Sequence, residues 1–408
     1  MKRTGQPIKI AIVSHSRISD VHDGKMRLMK DMAELISGKD TLVEVFSLSD
    51  TNRTVKERHY IEHEIRSPYY TSSSMAKKLF DNGMMIFFGT RPLLNEVNRS
   101  ESVNSMLREF DPDIIICETF LLNGMLKRYL GQSRKKVRVI STFDSQSRIY
   151  YYANALFGPG SSGGYAPLLR QFKRSLAGRY VKFRLKLYQE TLNLADLHVV
   201  LSKKDKEEIE GFFKMRKARI VVLPAHFFDA KRERKPRPST SIRKILFIGS
   251  YLPPHNRQAM GYIENIISPM LPGKEFIIAG GGVPKKVVRN VRYIGGVEDM
   301  ASILDDADLC IAPLTDGIGL KVKMLDYFNA GKAVIGTSMA FEGYDVKNGY
   351  NAIVEDNIEH YASQIEKLEE DRELFSRIQK NSRLIVNDYR YDVLKKKWQK
   401  LIKELHDM

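Results

Sequence analysis

Twelve short runs rich in Val, Ile and Leu recur along this chain of 408 residues, each six to eight residues long and separated by longer stretches. Near-continuous apolar runs bounded by Gly, Pro and Asp read as strands buried on both faces. Six fall in a first half: IKIAIVSH (8–15), LVEVFSL (42–48), DIIICET (113–119), VRVISTF (137–143), LHVVLS (197–202) and RIVVLP (219–224). Six fall in a second: KILFIGS (244–250), EFIIAGG (275–281), VRYIGG (291–296), LCIAPL (309–314), AVIGTS (333–338) and NAIVED (351–356). Helical patterns lie between them, for example over 25–37 and 203–213, and over 257–268, 298–306, 321–330 and 359–380. Such alternation predicts an α/β chain of two doubly wound, Rossmann-like parallel-sheet domains.

The stretch DAKRERKPRPSTSIRK (229–244) is polar, holds two prolines and reads as a linker. The expected division is therefore an N-terminal domain over 1–238, a C-terminal domain over 239–388 and a closing helix over 389–408. That helix carries Leu394, Trp398, Leu401 and Leu405 at spacings of four, three and four, an apolar stripe that must pack on something. Two such domains place a cleft between their strand C-terminal ends, where open α/β sheets bind ligands. No run of 18 apolar residues predicts a membrane span, and the apolar part of the N-terminus is too short for a signal peptide. Cys117 and Cys310 sit inside apolar runs and read as buried thiols in a reducing, cytoplasmic setting.

One stretch points to chemistry. After LCIAPL comes DGIGLKVKMLDYFNAGK (316–332). Gly317 and Gly319 let the backbone turn tightly and approach a ligand. The helix that follows presents unpaired N–H groups to an anion. Lys323 lies in its first turn, and Asp326 shares its face three residues on. A turn, a cation and then a carboxylate match a nucleoside diphosphate, with phosphates on the turn and Lys323 and the ribose diol on Asp326. The plain alternative is an ordinary Gly-x-Gly turn followed by a surface Lys–Asp pair, and both stay open on these residues alone. No Walker loop or dinucleotide fingerprint is present.

A wider pattern narrows the choice. FIGSYLPPHNRQAM (247–260), FIIAGGG (276–282), VRYIGGVEDM (291–300), LDDADLCIAPL (304–314), GIGLKVKMLDYFNAGKAVIGT (317–337) and FEGYDVKNGYNAIVED (341–356) occur in this order. Residues 244–356 resemble the donor-binding domain of GT-B glycosyltransferases, in particular glycosyltransferase family four (glycosyl transferases group 1). The first half is similar more loosely, through Asp23-Gly24 with Arg27 and through residues 188–209. The closing helix resembles the one that crosses back to the N-terminal domain in that family. The resemblance implies a GT-B fold, Asp326 on the ribose and Lys323 on the diphosphate. It implies the backbone of Gly317, Gly319 and Leu320 along phosphate and sugar, and Gly249, Ser250 and Asn256 beside the diphosphate. It also implies the strip 292–296, with Tyr293, facing the base. The family commonly has Glu where Asp326 stands, and a second Glu where this chain has Ile318; Asp316 is the candidate to replace the latter.

The resemblance further implies a retaining transferase that uses helix and lysine, without a metal cofactor, to stabilise the leaving diphosphate. Asp111-Pro112-Asp113 and Asp306-Ala307-Asp308 have the spacing of a metal-binding triplet, yet both precede strands and read as element boundaries. The N-terminal domain should then supply groups that position the acceptor, and Asp144, Arg27 and His15 are the candidates. Each has a plain alternative: a helix cap for Asp144, a surface cation for Arg27, a loop residue for His15.

Charge adds a partner. Residues 1–120 hold 17 basic and 17 acidic side chains, residues 241–408 hold 23 and 23, and residues 121–240 hold 26 and 9. The entire net charge of +17 thus sits in the middle segment. Within 121–190, residues 166–188 read as a helix with Leu168, Leu169, Phe172, Leu176, Tyr180, Phe183 and Leu187 in a stripe and seven cations around it. That composition fits an in-plane helix on an anionic membrane surface; an ordinary helix with a solvated basic face is the alternative. No motif supports nucleic acid as a partner. The reading reached from the sequence is a glycosyltransferase that moves a sugar from a nucleoside-diphosphate sugar to a lipid-linked or surface-glycan acceptor at the cytoplasmic membrane face. The rivals are a nucleotide-sugar epimerase of the same fold and a non-enzymatic protein that binds an anionic polymer.

Overall fold

The computed structural model describes residues 6–14, 17–19, 24–49, 51–66, 93–118, 126–142, 178–179, 181–182, 185–186, 189–190, 192–213, 219–224, 241–297, 299–317 and 319–408. The chain divides into two compact units, Met1–His226 with Leu394–Met408, and Phe227–Val393.

The first unit runs β1 (Ile8–Ser14), α1 (Gly24–Ile36), β2 (Thr41–Ser49), β3 (Arg53–Lys56), β4 (Ile61–Arg66), α2 (Leu93–Phe110), β5 (Ile114–Glu118), α3 (Lys127–Gln132), β6 (Arg138–Thr142), β7 (Leu197–Val200), α4 (Lys203–Phe212) and β8 (Arg219–Val222). Its sheet has the order β3-β4-β2-β1-β5-β6-β7-β8. Every pairing is parallel except β3 with β4.

The second unit runs β9 (Lys244–Ile248), α5 (Pro254–Tyr262, continued by a wide turn over Ile263–Ile267), β10 (Glu275–Ala279), β11 (Lys286–Val288), β12 (Val291–Gly295), α6 (Met300–Asp306), β13 (Leu309–Ala312), α7 (Val322–Asn329), β14 (Ala333–Gly336), β15 (Ile353–Val354), α8 (Tyr361–Glu370) and α9 (Arg372–Ser382). The order is β11-β12-β10-β9-β13-β14-β15, antiparallel only at β11. A last helix, α10 (Tyr391–Asp407), closes the chain.

All twelve apolar runs form strands. In β13 and β14 every residue is buried, as double coverage by helices requires. The three strands that the apolar pattern missed are β3, β4 and β11. Strand β4 reads IEHEIR, and its charges are internally satisfied. Glu62 is fully buried and accepts hydrogen bonds from the N–H groups of Ile18 (2.8 Å) and Ser19 (3.0 Å). Glu64 accepts from Thr51, Ser49 and Arg53. Burial works to raise the Glu64 carboxyl, and those bonds outweigh it and hold the group below its ordinary value.

The carboxylates before the strands act as caps. Asp113 accepts from the N–H of Lys9 (2.9 Å) at the start of β1, and Asp196 from that of Val139 (2.9 Å) in β6. Asp308 accepts from the N–H groups of Arg243 and Lys244 (2.8 and 2.9 Å) at β9, while Asp306 pairs with the Lys244 ammonium at 2.7 Å. Both Asp-x-Asp triplets therefore have structural partners. The single helix expected over 359–380 is two, because Asp371 leaves helical geometry and caps the second by accepting from the N–H of Leu374 (2.8 Å).

In α10 the stripe Leu394, Trp398, Leu401 and Leu405 is buried, and the Trp398 indole N–H donates to the Pro224 carbonyl at 3.0 Å. Most of the basic helix expected over 166–188, and the rest of the 121–190 segment around it in part, lies outside the described residues. Residues 178–179, 181–182 and 185–186 are helical; Val181 and Leu185 pack on the cluster of Leu192, Val200, Ile209, Phe213 and Ile220, and Arg179, Lys182 and Lys186 are exposed. Among the described residues no helix is long and apolar enough to cross a membrane.

Candidate active site

In the second sheet β9 is followed in space by β10 on one side and β13 on the other. The order reverses between β9 and β13, and at such a switch point the flanking loops diverge and leave a crevice at the strand C-terminal ends. Both loops carry residues picked from the sequence.

The loop after β9 is zipped to the loop after β10. The N–H of Gly249 donates to Ala279 (2.8 Å), that of Tyr251 to Gly281 (2.9 Å), and the Ser250 hydroxyl to Gly281 (3.2 Å). This approach leaves no room at Gly280, where φ is 154° and a Cβ would lie 2.1 Å from the Gly249 carbonyl oxygen. Helix α5 begins at Pro254, a residue suited to a helix start because it has no N–H to leave unpaired. Its first turn carries His255 and Asn256. The Asn256 amide donates to the Ser250 carbonyl (2.9 Å) and is 5% exposed.

The loop after β13 turns through Gly317 (φ 118°) and Gly319 (φ 69°). The Asp316 carboxylate accepts from the Gly317 N–H at 2.7 Å. Helix α7 then starts at Val322 with no side-chain cap on its first N–H groups, so those donors face the turn unpaired by a side chain. Buried Met324, Leu325, Tyr327 and Phe328 fix α7 on the core. Tyr327 ties it to β9, its hydroxyl accepting from the Ile248 N–H at 2.7 Å.

Lys323, second residue of α7, donates from Nζ to the Asn256 Oδ1 at 2.8 Å, and its ammonium stands 4.4 Å from the centre of the Phe247 ring. Burial, and then the neighbouring charge of Lys321, bring this ammonium down to about 7. Burial and the charges of Lys323 and Lys321 likewise push His255 down to about 4, against the opposing pull of Asp316. Lys323 and a neutral imidazole thus share one corner beside Lys321, whose ammonium lies 3.8 Å from the Glu342 carboxylate, and an anionic ligand would favour the charged form of Lys323.

The structure gathers Gly249, Ser250, Asn256, Asp316, Gly317, Gly319 and Lys323 on these two loops and the helix tips behind them. Leu320 is half-buried against the core, and Asp326 is half-buried one turn beyond Lys323. Tyr293 does not join them. Alternation along β12 turns its side chain inward, where it is 5% exposed and its hydroxyl donates to Glu264 at 2.5 Å, while Arg292 points out and pairs with Glu275. In the first unit Arg27 lies half-buried on α1 beside Asp31 (3.7 Å), an i, i+4 pair. His15 and Asp144 lie outside the described residues. Among the described residues no cluster of three or more His, Cys, Asp or Glu side chains could hold a metal ion.

Sequence reasoning missed His255 and Lys321. His255 stood in a matched segment but had no partner at a recognisable spacing. Lys321 is two residues from Lys323, a spacing that would separate them on a helix. Its backbone is extended (φ −86°, ψ 95°), so helical spacing does not apply to it.

Two doubly wound sheets, with glycine turns and a cationic helix tip at a switch point, define the GT-B class of nucleotide-sugar-dependent enzymes. The family model for Glycosyltransferase Family 4 matches residues 42–225, and that for Glycosyl transferases group 1 matches residues 242–371. The chain belongs to the family-four type of GT-B glycosyltransferases. A curated relative, an uncharacterized 44.6 kDa protein in the cps region of Klebsiella pneumoniae, is 21% identical over 351 residues, covering 82% of this chain and 83% of its own. Among solved structures, a sucrose-phosphate synthase from Thermosynechococcus elongatus is similar with a TM-score of 0.72, at 14% identity, over 98% of this chain and 99% of that one. HepE of Anabaena in complex with UDP-glucose has a TM-score of 0.62, at 13% identity, over 97% and 100%.

Proposed function

We propose that this glycosyltransferase moves a sugar from a nucleoside-diphosphate sugar, a uridine one by preference, to a glycan or lipid-linked acceptor of a surface polysaccharide. The observation that carries the donor assignment is the Lys323 ammonium, held by Asn256 at the uncapped tip of α7 behind the Gly317–Gly319 turn. In this reading the α7 N–H groups and Lys323 take the charge that develops on the departing diphosphate, so no metal is needed; that transfer retains configuration is what the family resemblance implies. Asp326 accepts from the ribose hydroxyls and Asp316 from those of the sugar. Acceptor positioning falls to the first unit, with Asp144, Arg27 and His15 as its candidates. The uridine preference is supported by HepE, whose structure holds UDP-glucose, and the surface-polymer acceptor by the relative from a cps region.

The membrane docking of 166–188 belongs to the same proposal. Its support is the sequence's apolar stripe among seven cations, of which Arg179, Lys182 and Lys186 are exposed.

A thermal-shift panel of UDP, GDP and ADP tests the donor site. A nucleotide at 100 times its dissociation constant adds about 2.7 kcal/mol of stability, and Lys323→Ala removes most of that shift. Absence of any shift in the wild-type chain contradicts the reading. Sugar release from UDP-sugars with a glycan acceptor should persist in EDTA; loss of turnover on chelation rejects the metal-free mechanism.

A further inference from the structure

Lys321 occupies an unusual place. It is the last residue before α7, yet its side chain is only 7% exposed. Its ammonium donates to the Gly319 carbonyl at 2.7 Å and lies 3.8 Å from the Glu342 carboxylate, itself largely buried. Its own carbonyl accepts twice, from the Tyr344 hydroxyl (3.1 Å) and from the Met324 N–H (2.8 Å) that opens the helix. Glu342 and Tyr344 come from the segment after β14, and that segment is fastened to α7 by aromatic contacts. The Tyr344 ring meets Phe328 edge-on at 5.8 Å, and Phe328 stacks on Phe341 at 6.1 Å.

A turn with glycines at two positive-φ positions loses more conformational freedom on ordering than a turn without glycine. Donors on such a turn are preorganised only if something outside the turn holds it. Lys321 supplies that hold from within: one end of the residue binds the turn, the other the helix, and residues 342 and 344 grip both.

We infer that Lys321, Glu342 and Tyr344 form a clamp that fixes the Gly317–Leu320 turn against the tip of α7, so that Lys321 is a positioning residue and not a ligand of the donor. The inference rests on the donor site proposed above. Its ammonium is already engaged by a carbonyl and a carboxylate, which leaves Lys323 as the cation directed to the ligand.

The test is a double-mutant cycle with UDP as probe, with GDP and ADP run in parallel. Glu342→Gln, Tyr344→Phe and Lys321→Met are each expected to raise the dissociation constant about tenfold. Lys321→Met combined with Glu342→Gln should be no worse than the poorer single variant, because the two act through one contact. Lys321→Arg should restore much of the affinity, since it keeps the charge. Hydrogen exchange of the 316–323 amides in the unliganded chain should quicken in the three clamp variants, whose melting temperatures report whether they fold. Multiplicative losses would mean that Lys321 touches the ligand itself, and unchanged affinity and exchange in Glu342→Gln and Tyr344→Phe would remove the clamp. If wild-type chain binds none of the three nucleotides, the donor assignment falls and the clamp's role in it falls too, whatever the exchange data show.

Discussion

Lys323 is where burial and charge meet most directly. A free ammonium keeps its proton far above neutrality, but this one, packed over Phe247 beside Lys321, comes down to about 7. The folded value lies below the unfolded one. Between about 7 and the ordinary lysine value the unfolded chain therefore holds the extra proton, and Lys323 makes stability rise with pH through that window. Binding of a diphosphate works in the opposite direction, because it favours the ammonium. The affinity for UDP should weaken by up to about fifteenfold between pH 7 and pH 8.5, and Lys323→Met should flatten that profile in a calorimetric titration. His255 stays neutral through this range, being depressed to about 4. It does cost stability on acidification, since the unfolded imidazole gains a proton near its ordinary value and the folded one does not until lower pH. His198, buried and likewise down at about 4, adds to the same loss. Denaturant midpoints should accordingly fall between pH 6.5 and pH 4, and less steeply in His255→Asn. At this scale the sequence showed Lys323 and Asp326 through their spacing on one helix. It hid Lys321 and Glu342, because their contact joins residues 21 positions apart through an extended backbone and a loop.

Elements were legible wherever burial left an apolar trace. The runs FIIA and LCIA, bounded by Gly, Asp and Pro, read as strands covered on both sides, and every residue in them is buried. Strand β4 left no such trace, since Glu62 and Glu64 occupy buried positions and depend on partners in other segments. Glu62→Gln keeps the shape but turns one acceptor into a donor facing the Ile18 or Ser19 N–H. It should cost about 1–3 kcal/mol in urea denaturation, and a loss under a few tenths would show that Glu62 is not needed for the 17–19 segment. At Gly280 the same scale gives a steric prediction. Gly280→Ala must separate the loops after β9 and β10, because the added carbon meets the Gly249 carbonyl. We expect a loss of about 2–3 kcal/mol, together with loss of nucleotide binding; a variant that binds as well as wild type would show that this zipped geometry is dispensable. Tyr293 illustrates the limit of strand reading: its place on β12 was foreseen, but which face its ring takes depends on Glu264 and Lys286, from two other elements.

For the whole molecule, two sheets with the same mostly parallel winding came from one repeated pattern, and the charge distribution set one segment apart from both. The apolar stripe and cations of 166–188 predict capture by vesicles containing phosphatidylglycerol, weakening steeply as salt rises. Flotation that is indifferent to lipid charge would remove that surface from the account. The central claim is narrower: the tip of α7, with Lys323, grips the diphosphate of an activated sugar. A crystal structure of the full chain with UDP tests it most directly. We predict phosphate oxygens within hydrogen-bond distance of the Lys323 ammonium and of N–H groups between Gly319 and Lys323. A nucleotide seated elsewhere, with α7 untouched, would contradict it.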